Sequence, residues 1–152
     1  HEPVAEFTIT NEILQTYWDE VCHKESGPAD YLQIGCPNCS AEELINIWRY
    51  MNGRKVKEGV RFCVFTNIAQ YAMAEQAHII QDLKDWGVEI LTSGCILRTI
   101  NVAKGAKSLG LSSFKLCNGS KDERDCPIYY GSDEQVIDAA ISGYWEVKRR
   151  YE

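Results

Sequence analysis

Tyr31-Leu32-Gln33-Ile34-Gly35-Cys36-Pro37-Asn38-Cys39-Ser40-Ala41-Glu42-Glu43-Leu44 holds two kinds of structure back to back. Its first four residues read as a short strand that runs into a turn from Gly35 to Cys39. Ser40 followed three residues later by Glu43 is a capping box, in which each residue satisfies a backbone N–H of the other where a helix begins. That helix places Leu44, Ile47, Trp48 and Met51 on its buried stripe, with Gly53 as its stop.

The same alternation continues on both sides. Val60 to Phe65 is almost wholly apolar, as expected of a strand covered on both faces. Thr66-Asn67 opens a long helix ending near Trp86-Gly87, and Val88 to Leu91 is the next strand, followed by Thr92-Ser93-Gly94-Cys95. A helix through Val102, Ala103, Ala106 and Leu109 is expected to end at Gly110. Ser113 to Leu116 then reads as a strand leading into the turn Asn118-Gly119-Ser120-Lys121. A polar stretch, Asp122 to Asp125, and Tyr129-Tyr130-Gly131-Ser132 precede a last helix through Val136, Ala139, Ala140 and Ile141. Upstream, Thr10 or Asn11 caps a helix carrying Ile13, Leu14, Tyr17, Trp18 and Val21 on one stripe.

This pattern predicts an α/β fold of three layers, a mostly parallel sheet of about four strands with helices on both faces. Residues 1–27 are expected to form an N-terminal segment and helix, and His1 is expected to be a tag remnant. Residues 28–147 form the α/β domain, and residues 148–152 are a basic tail. In a parallel sheet all strand-to-helix turns lie at one edge, where ligands bind. Cys36 and Cys39, Thr66 and Asn67, Cys95, and Ser120 with Lys121 are therefore expected to converge.

Composition narrows the function. With 152 residues, 45% hydrophobic and 25% charged, the chain has room for one sizeable core and is too apolar to be largely disordered. Its net charge of -6, with basic residues scattered apart from Lys148-Arg149-Arg150, argues against a nucleic-acid or anionic-membrane partner. The apolar runs are too short to cross a bilayer, and no secretory leader is visible. Seven cysteines, an odd count in a chain of this length, point to a reducing cytoplasmic setting, with thiols serving as core residues, metal ligands or redox groups.

Cys36 and Cys39 form a Cys-x-x-Cys between a strand end and a capped helix, where free N–H groups and the helix dipole favour thiolate. Thiolate serves both metal ligation and disulfide exchange. Cys95 closes a strand and is expected at the same edge, whereas Cys63 alternates into the core. Cys22 and Cys126 default to structure, and Cys117 is a weaker candidate. Asn118-Gly119-Ser120-Lys121 brings a hydroxyl and an ammonium on a flexible turn, suited to a carboxylate or phosphate, but lacks the spacing of a P-loop. No Ser-His-Asp order and no His-Glu-x-x-His supports a hydrolase.

Asp30 to Pro37, followed by Ser40-Ala41-Glu42-Glu43-Leu44, resembles a segment of the aconitase X family: aspartate, apolar strand, Gly-Cys-Pro, then a Ser-x-x-Glu-Leu helix. In order, Val64-Phe65-Thr66, Trp86 to Cys95, the Asn118-to-Lys121 turn, and Tyr130-Gly131-Ser132 through Trp145 resemble later pieces of the same family. The resemblance covers about residues 28 to 146. It implies part of a hydro-lyase that dehydrates a small hydroxy-carboxylate, such as cis-3-hydroxy-L-proline or mevalonate 5-phosphate. It further implies iron or an iron–sulfur cluster held by three cysteines, of which Cys36 and Cys95 would be two. The third ligand would come from an N-terminal catalytic portion, and further groups from a swivel domain or small subunit. Two positions depart from the family. Asn38 stands where His commonly follows Cys-Pro, which argues against an acid–base role there. Cys39 is an added cysteine and another possible ligand, since related aconitases pair two ligands as Cys-x-x-Cys.

Dehydration needs a Lewis acid on the leaving hydroxyl, a base beside the carboxylate and groups that hold that carboxylate. Ser120, Lys121, Thr66 and Asn67 are candidates for the last task, and no general base stands out, so the chain alone is expected to be inactive and to bind iron weakly. Two alternatives remain open at this level: a thioredoxin-like redox module using Cys36 and Cys39, and a non-catalytic metal-binding domain.

Overall fold

The computed structural model describes residues 4–92, 103–122 and 125–148. Helix α1 (Asn11–Val21) is followed by β1 (Gly27–Pro28), β2 (Tyr31–Cys39), α2 (Ala41–Met51) and β3 (Arg61–Thr66). Then come α3 (Ile68–Gln76), α4 (Ile79–Asp85), β4 (Val88–Leu91), β5 (Leu109–Leu111), α5 (Phe114–Ser120), β6 (Ile128–Tyr130), α6 (Asp133–Ser142) and β7 (Tyr144–Trp145). Five strands form one parallel sheet in the order β4-β3-β2-β5-β6, and β1 pairs antiparallel with β7 as a separate two-stranded ribbon.

Strand alternation builds two cores. Leu32 and Ile34 of β2 with Phe62 and Val64 of β3 face a layer made by α2, α3, α4, α6 and Trp145. Tyr31, Cys63, Phe65, Leu109 and Leu111 face the opposite way, toward Trp18 and Val21 of α1 and Leu116 and Cys117 of α5. The expected three-layer α/β architecture is therefore present, with helices on both faces. Among the described residues no helix is long and apolar enough to cross a membrane.

Several local expectations are corrected. The sheet has five strands rather than about four, because Ile128–Tyr130 adds an edge strand before the last helix. Gly110, expected to stop a helix, lies inside β5, where a Cβ would run into Leu32 and Trp145. Its lack of a side chain reflects close packing rather than a helix end. Ser113 to Leu116, expected as a strand, is instead taken up by α5 and its N-cap. The long helix after Asn67 is two helices, broken at His78 with φ 61. On α1 only Trp18 and Val21 are buried, while Ile13, Leu14 and Tyr17 stay exposed.

The shift of β5 and α5 carries a larger consequence. Helix α5 starts where β5 ends and runs back toward the start of β6. Asn118, Gly119 and Ser120 are its last residues, and Lys121 is its C-cap, lining a hollow with Ile128, the first residue of β6. Ser120 and Lys121 therefore sit at the edge where strands begin, opposite the turns expected to accompany them.

Candidate functional site

From β2 the chain winds outward through β3 to β4, and from β5 it winds the other way to β6. The carboxyl ends of β2 and β5 thus flank the topological switch point, the crevice in which open α/β sheets hold ligands. β2 bulges on reaching it: pairing with β3 stops at Ile34↔Val64 and resumes at Cys39↔Thr66. Gly35, at φ 110, makes the bulge possible, since any Cβ there would meet the Phe65 carbonyl. Pro37 and Asn38 are pushed into solvent, and Cys36 is half-buried.

The bulge also separates the two thiols. Cys36 packs against the core shared by α1 and α5, whereas Cys39 belongs to the core under α2 and α6. Cys39 is 1% exposed, and burial, reinforced by the charges of Glu43 and Asp133, pushes its thiol up to about 12. The helix start expected to favour a thiolate is already occupied. Ser40 accepts from the Glu43 N–H at 3.2 Å, Glu43 accepts from the Ser40 N–H at 2.8 Å, and Gln70 accepts from the Ala41 N–H at 2.7 Å. Cys39 is a protonated core residue, and desolvation outweighs the dipole.

Thr66 and Asn67 do reach the rim, with different fates. The Thr66 hydroxyl donates to the Cys39 carbonyl at 2.6 Å and is 1% exposed, so it holds the bulge closed. Asn67 stays exposed, its side-chain oxygen accepting from the Ala69 and Gln70 N–H groups at 3.0 Å each as the cap of α3. Cys95 lies outside the described residues. Ser120 and Lys121 are not brought to this rim.

Sequence reasoning missed an acidic corner beside Cys39. Asp133 is the first residue of α6, inside the capping box of Ser132 and Gln135, and it hydrogen-bonds to the Ser112 side chain just past β5. Burial raises its carboxyl above the usual range, helped by Glu134 and Glu43, and opposed by the Ser112 bond. With Glu43, Tyr50 and Ile137 it lines a hollow of about 130 Å³ between α2 and α6. The signal was in the sequence: Ser132 and Gln135 repeat the spacing of Ser40 and Glu43, so a second helix starts at the same rim.

Among the described residues no three His, Cys, Asp or Glu side chains are grouped to hold a metal ion. Cys36, partly accessible at the switch point, suits one position of a thiolate donor set, and Cys39 does not. Cys63 lies on β3 as expected, buried and with its thiol raised to about 11, next to the Arg61–Glu89 pair at 2.7 Å.

Comparison with known proteins agrees with this fold. The family model described as the aconitase X third domain matches residues 29–142. A cis-3-hydroxy-L-proline dehydratase of Hypocrea jecorina is 28% identical over 138 residues, 89% of this chain and 23% of the relative. The large subunit of a phosphomevalonate dehydratase of Aeropyrum pernix is 29% identical over 68 residues, 45% of this chain and 17% of the relative. The crystal structure of Thermococcus kodakaraensis aconitase X in its holo-form superposes with a TM-score of 0.73 at 17% identity, covering 88% of this chain and 34% of that chain, and shares its fold. The chain spans less than a quarter of the length of these two curated relatives.

Proposed function

Since the chain belongs to the aconitase X family, matching its third domain over residues 29–142, we propose that it forms one part of a hydro-lyase dehydrating a small hydroxy-carboxylate. Support comes from the dehydratase names of its relatives and from their length, which leaves room for an N-terminal catalytic portion and a swivel domain or small subunit. The observation that carries the reading is Cys36, presented on a glycine-dependent bulge at the switch point of a parallel sheet.

Cys36 and Cys95 would hold iron or an iron–sulfur cluster together with a ligand from the rest of the unit. Such a group, when bound, supplies a Lewis acid to the departing hydroxyl. The chain's own residues shape the rim around that group. Thr66 locks the bulge that aims Cys36, and Asn67 offers its amide nitrogen to a substrate carboxylate at the rim. Asp133 contributes a carboxyl that holds its proton to higher pH than an exposed one. Cys39, Ser120 and Lys121 have no part in this arrangement.

A thioredoxin-like reading loses its basis, because that fold needs an antiparallel hairpin while the five-stranded sheet here is parallel throughout. The two thiols it would use also face different cores. Anaerobic reconstitution with ferrous iron and sulfide tests the proposal through bound iron and sulfide. Wild type and Cys39→Ala should bind alike, and Cys36→Ala should lose most of the iron. Equal iron on Cys36→Ala would overturn the assignment, and zinc retention without sulfide would favour a non-catalytic metal-binding domain.

A further inference from the structure

Helix α1 presents apolar side chains on two sides. Trp18 and Val21 turn into the core, whereas Ile13, Leu14 and Tyr17 stay in solvent. The segment ahead of the Thr10 cap adds Phe7 at 89% and Ile9 at 72% exposure. Ile9 stands directly before the cap and Leu14 four positions past it, the pair of positions that a hydrophobic staple uses to lead a chain into a helix. Single exposed apolar residues need no explanation, but five large ones between residues 7 and 17 form a patch of the kind that marks an interaction surface. Glu6, Glu12, Asp19 and Glu20 are interleaved with it or follow it, all exposed, and residues 4–22 include no lysine or arginine. The first lysine beyond them, Lys24, is paired with Asp19 at 3.6 Å. Face to face, a second copy would set these carboxylates against each other, and an anionic membrane would meet the same repulsion.

The place of this patch along the chain points to its occupant. The match to the aconitase X third domain begins at residue 29, so α1 and the segment before it lie outside that domain, on its N-terminal side. A third domain follows two others, and the matched stretches make up only 23% and 17% of the two dehydratase relatives. We propose, on the reading of the chain as one part of a longer hydro-lyase, that this face docks the part of the unit that precedes the third domain. The surface it receives is an apolar strip bordered by lysine or arginine. Apolar contact supplies the burial, and the carboxylates select the partner and its orientation. Helix α1 is then held from both sides, by the sheet through Trp18 and Val21 and by the preceding part through Ile13 and Tyr17.

Hydroxyl-radical footprinting read by mass spectrometry tests this residue by residue. The probe is the Hypocrea jecorina dehydratase with its matched stretch replaced by the whole of this chain. Phe7, Ile13, Leu14 and Tyr17 should oxidise rapidly in the lone chain at every concentration, and several-fold more slowly in the chimera. Ile13→Lys combined with Tyr17→Lys should restore the rapid rate at Phe7 and Leu14 in the chimera while the lone chain keeps its fold. Equal oxidation in chimera and lone chain would overturn the proposal. So would protection that grows with the concentration of the lone chain, which would make a second copy the occupant. If the chimera does not fold, the tagged chain is co-expressed with the same dehydratase lacking its matched stretch. Recovery of that partner with wild type and not with the double-lysine variant supports the docking face, and no recovery or equal recovery overturns it. Iron and sulfide bound by the chimera and lost with Cys36→Ala read the dehydratase proposal separately: protection without iron removes that role of Cys36 alone, and iron without protection removes the docking face alone.

Discussion

Cys39 stands one residue ahead of a capped helix, the position in which local electrostatics favour a thiolate, yet its thiol is raised to about 12. The sign of its pH effect follows. Above an ordinary thiol pKa the unfolded chain sheds this proton while the folded chain keeps it, so stability falls by up to about 1.4 kcal/mol per pH unit from roughly pH 9 to 12. Urea titrations at increasing pH should show that Cys39→Ala flattens this alkaline loss, although Cys63, raised to about 11, retains a share of it. Gly35 is the second residue on which the site depends. Its φ of 110 and the Phe65 carbonyl against it leave no place for a Cβ. Gly35→Ala is expected to cost on the order of 2–4 kcal/mol and to disturb Cys36, measured by urea unfolding and by alkylation rate at Cys36.

At the scale of elements, two helices start at the rim with matching boxes, Ser40 with Glu43 and Ser132 with Gln135. Each removes orphan N–H groups that would otherwise face the crevice. Ser40→Ala should lower stability by about 1 kcal/mol, and Ser132→Ala by a similar amount, both read from denaturation midpoints. The two shortest strands of the sheet are harder to read than the three longer ones. Leu109-Gly110-Leu111 and Ile128-Tyr129-Tyr130 are three residues each, too short for a period of two to stand out, and their register comes from pairing with β2 and with each other. The β5 shift moved the lysine turn across the sheet: once Phe114 to Ser120 is a helix, Lys121 must lie at the far edge.

For the whole molecule, two cores of unequal cover meet on one sheet. Four helices shield one face, and α1 and α5 shield the other, leaving Ile13, Leu14 and Tyr17 in solvent. Leu44, fully buried in the larger core, should cost about 2–5 kcal/mol on substitution by Ala, and Ile13→Ala well under 1 kcal/mol, compared by thermal or urea unfolding. Among the described residues the rim offers Cys36, Asn67 and Asp133, while Lys121 lies at the opposite edge, and the relatives are more than four times as long as the matched stretch. The chain by itself is therefore expected to give no detectable dehydration of cis-3-hydroxy-L-proline, and turnover by the lone chain would refute this.

Periodicity and capping chemistry act over a few residues, and they determined the α/β class, the parallel sheet, the helix starts at Ser40 and Asn67 and the strand that leads into Cys36, which continues through a bulge to Cys39. The order of Gly-Cys-Pro, capped helix and later strand ends also carried the family. Only tertiary structure decided which thiol faces which core, that Thr66 is sealed and Asn67 is not, and that Ser120 and Lys121 lie away from the rim. Those outcomes depend on burial, on strand register and on the direction in which a short segment returns. Each is set by contacts between residues far apart along the chain, which no local pattern encodes.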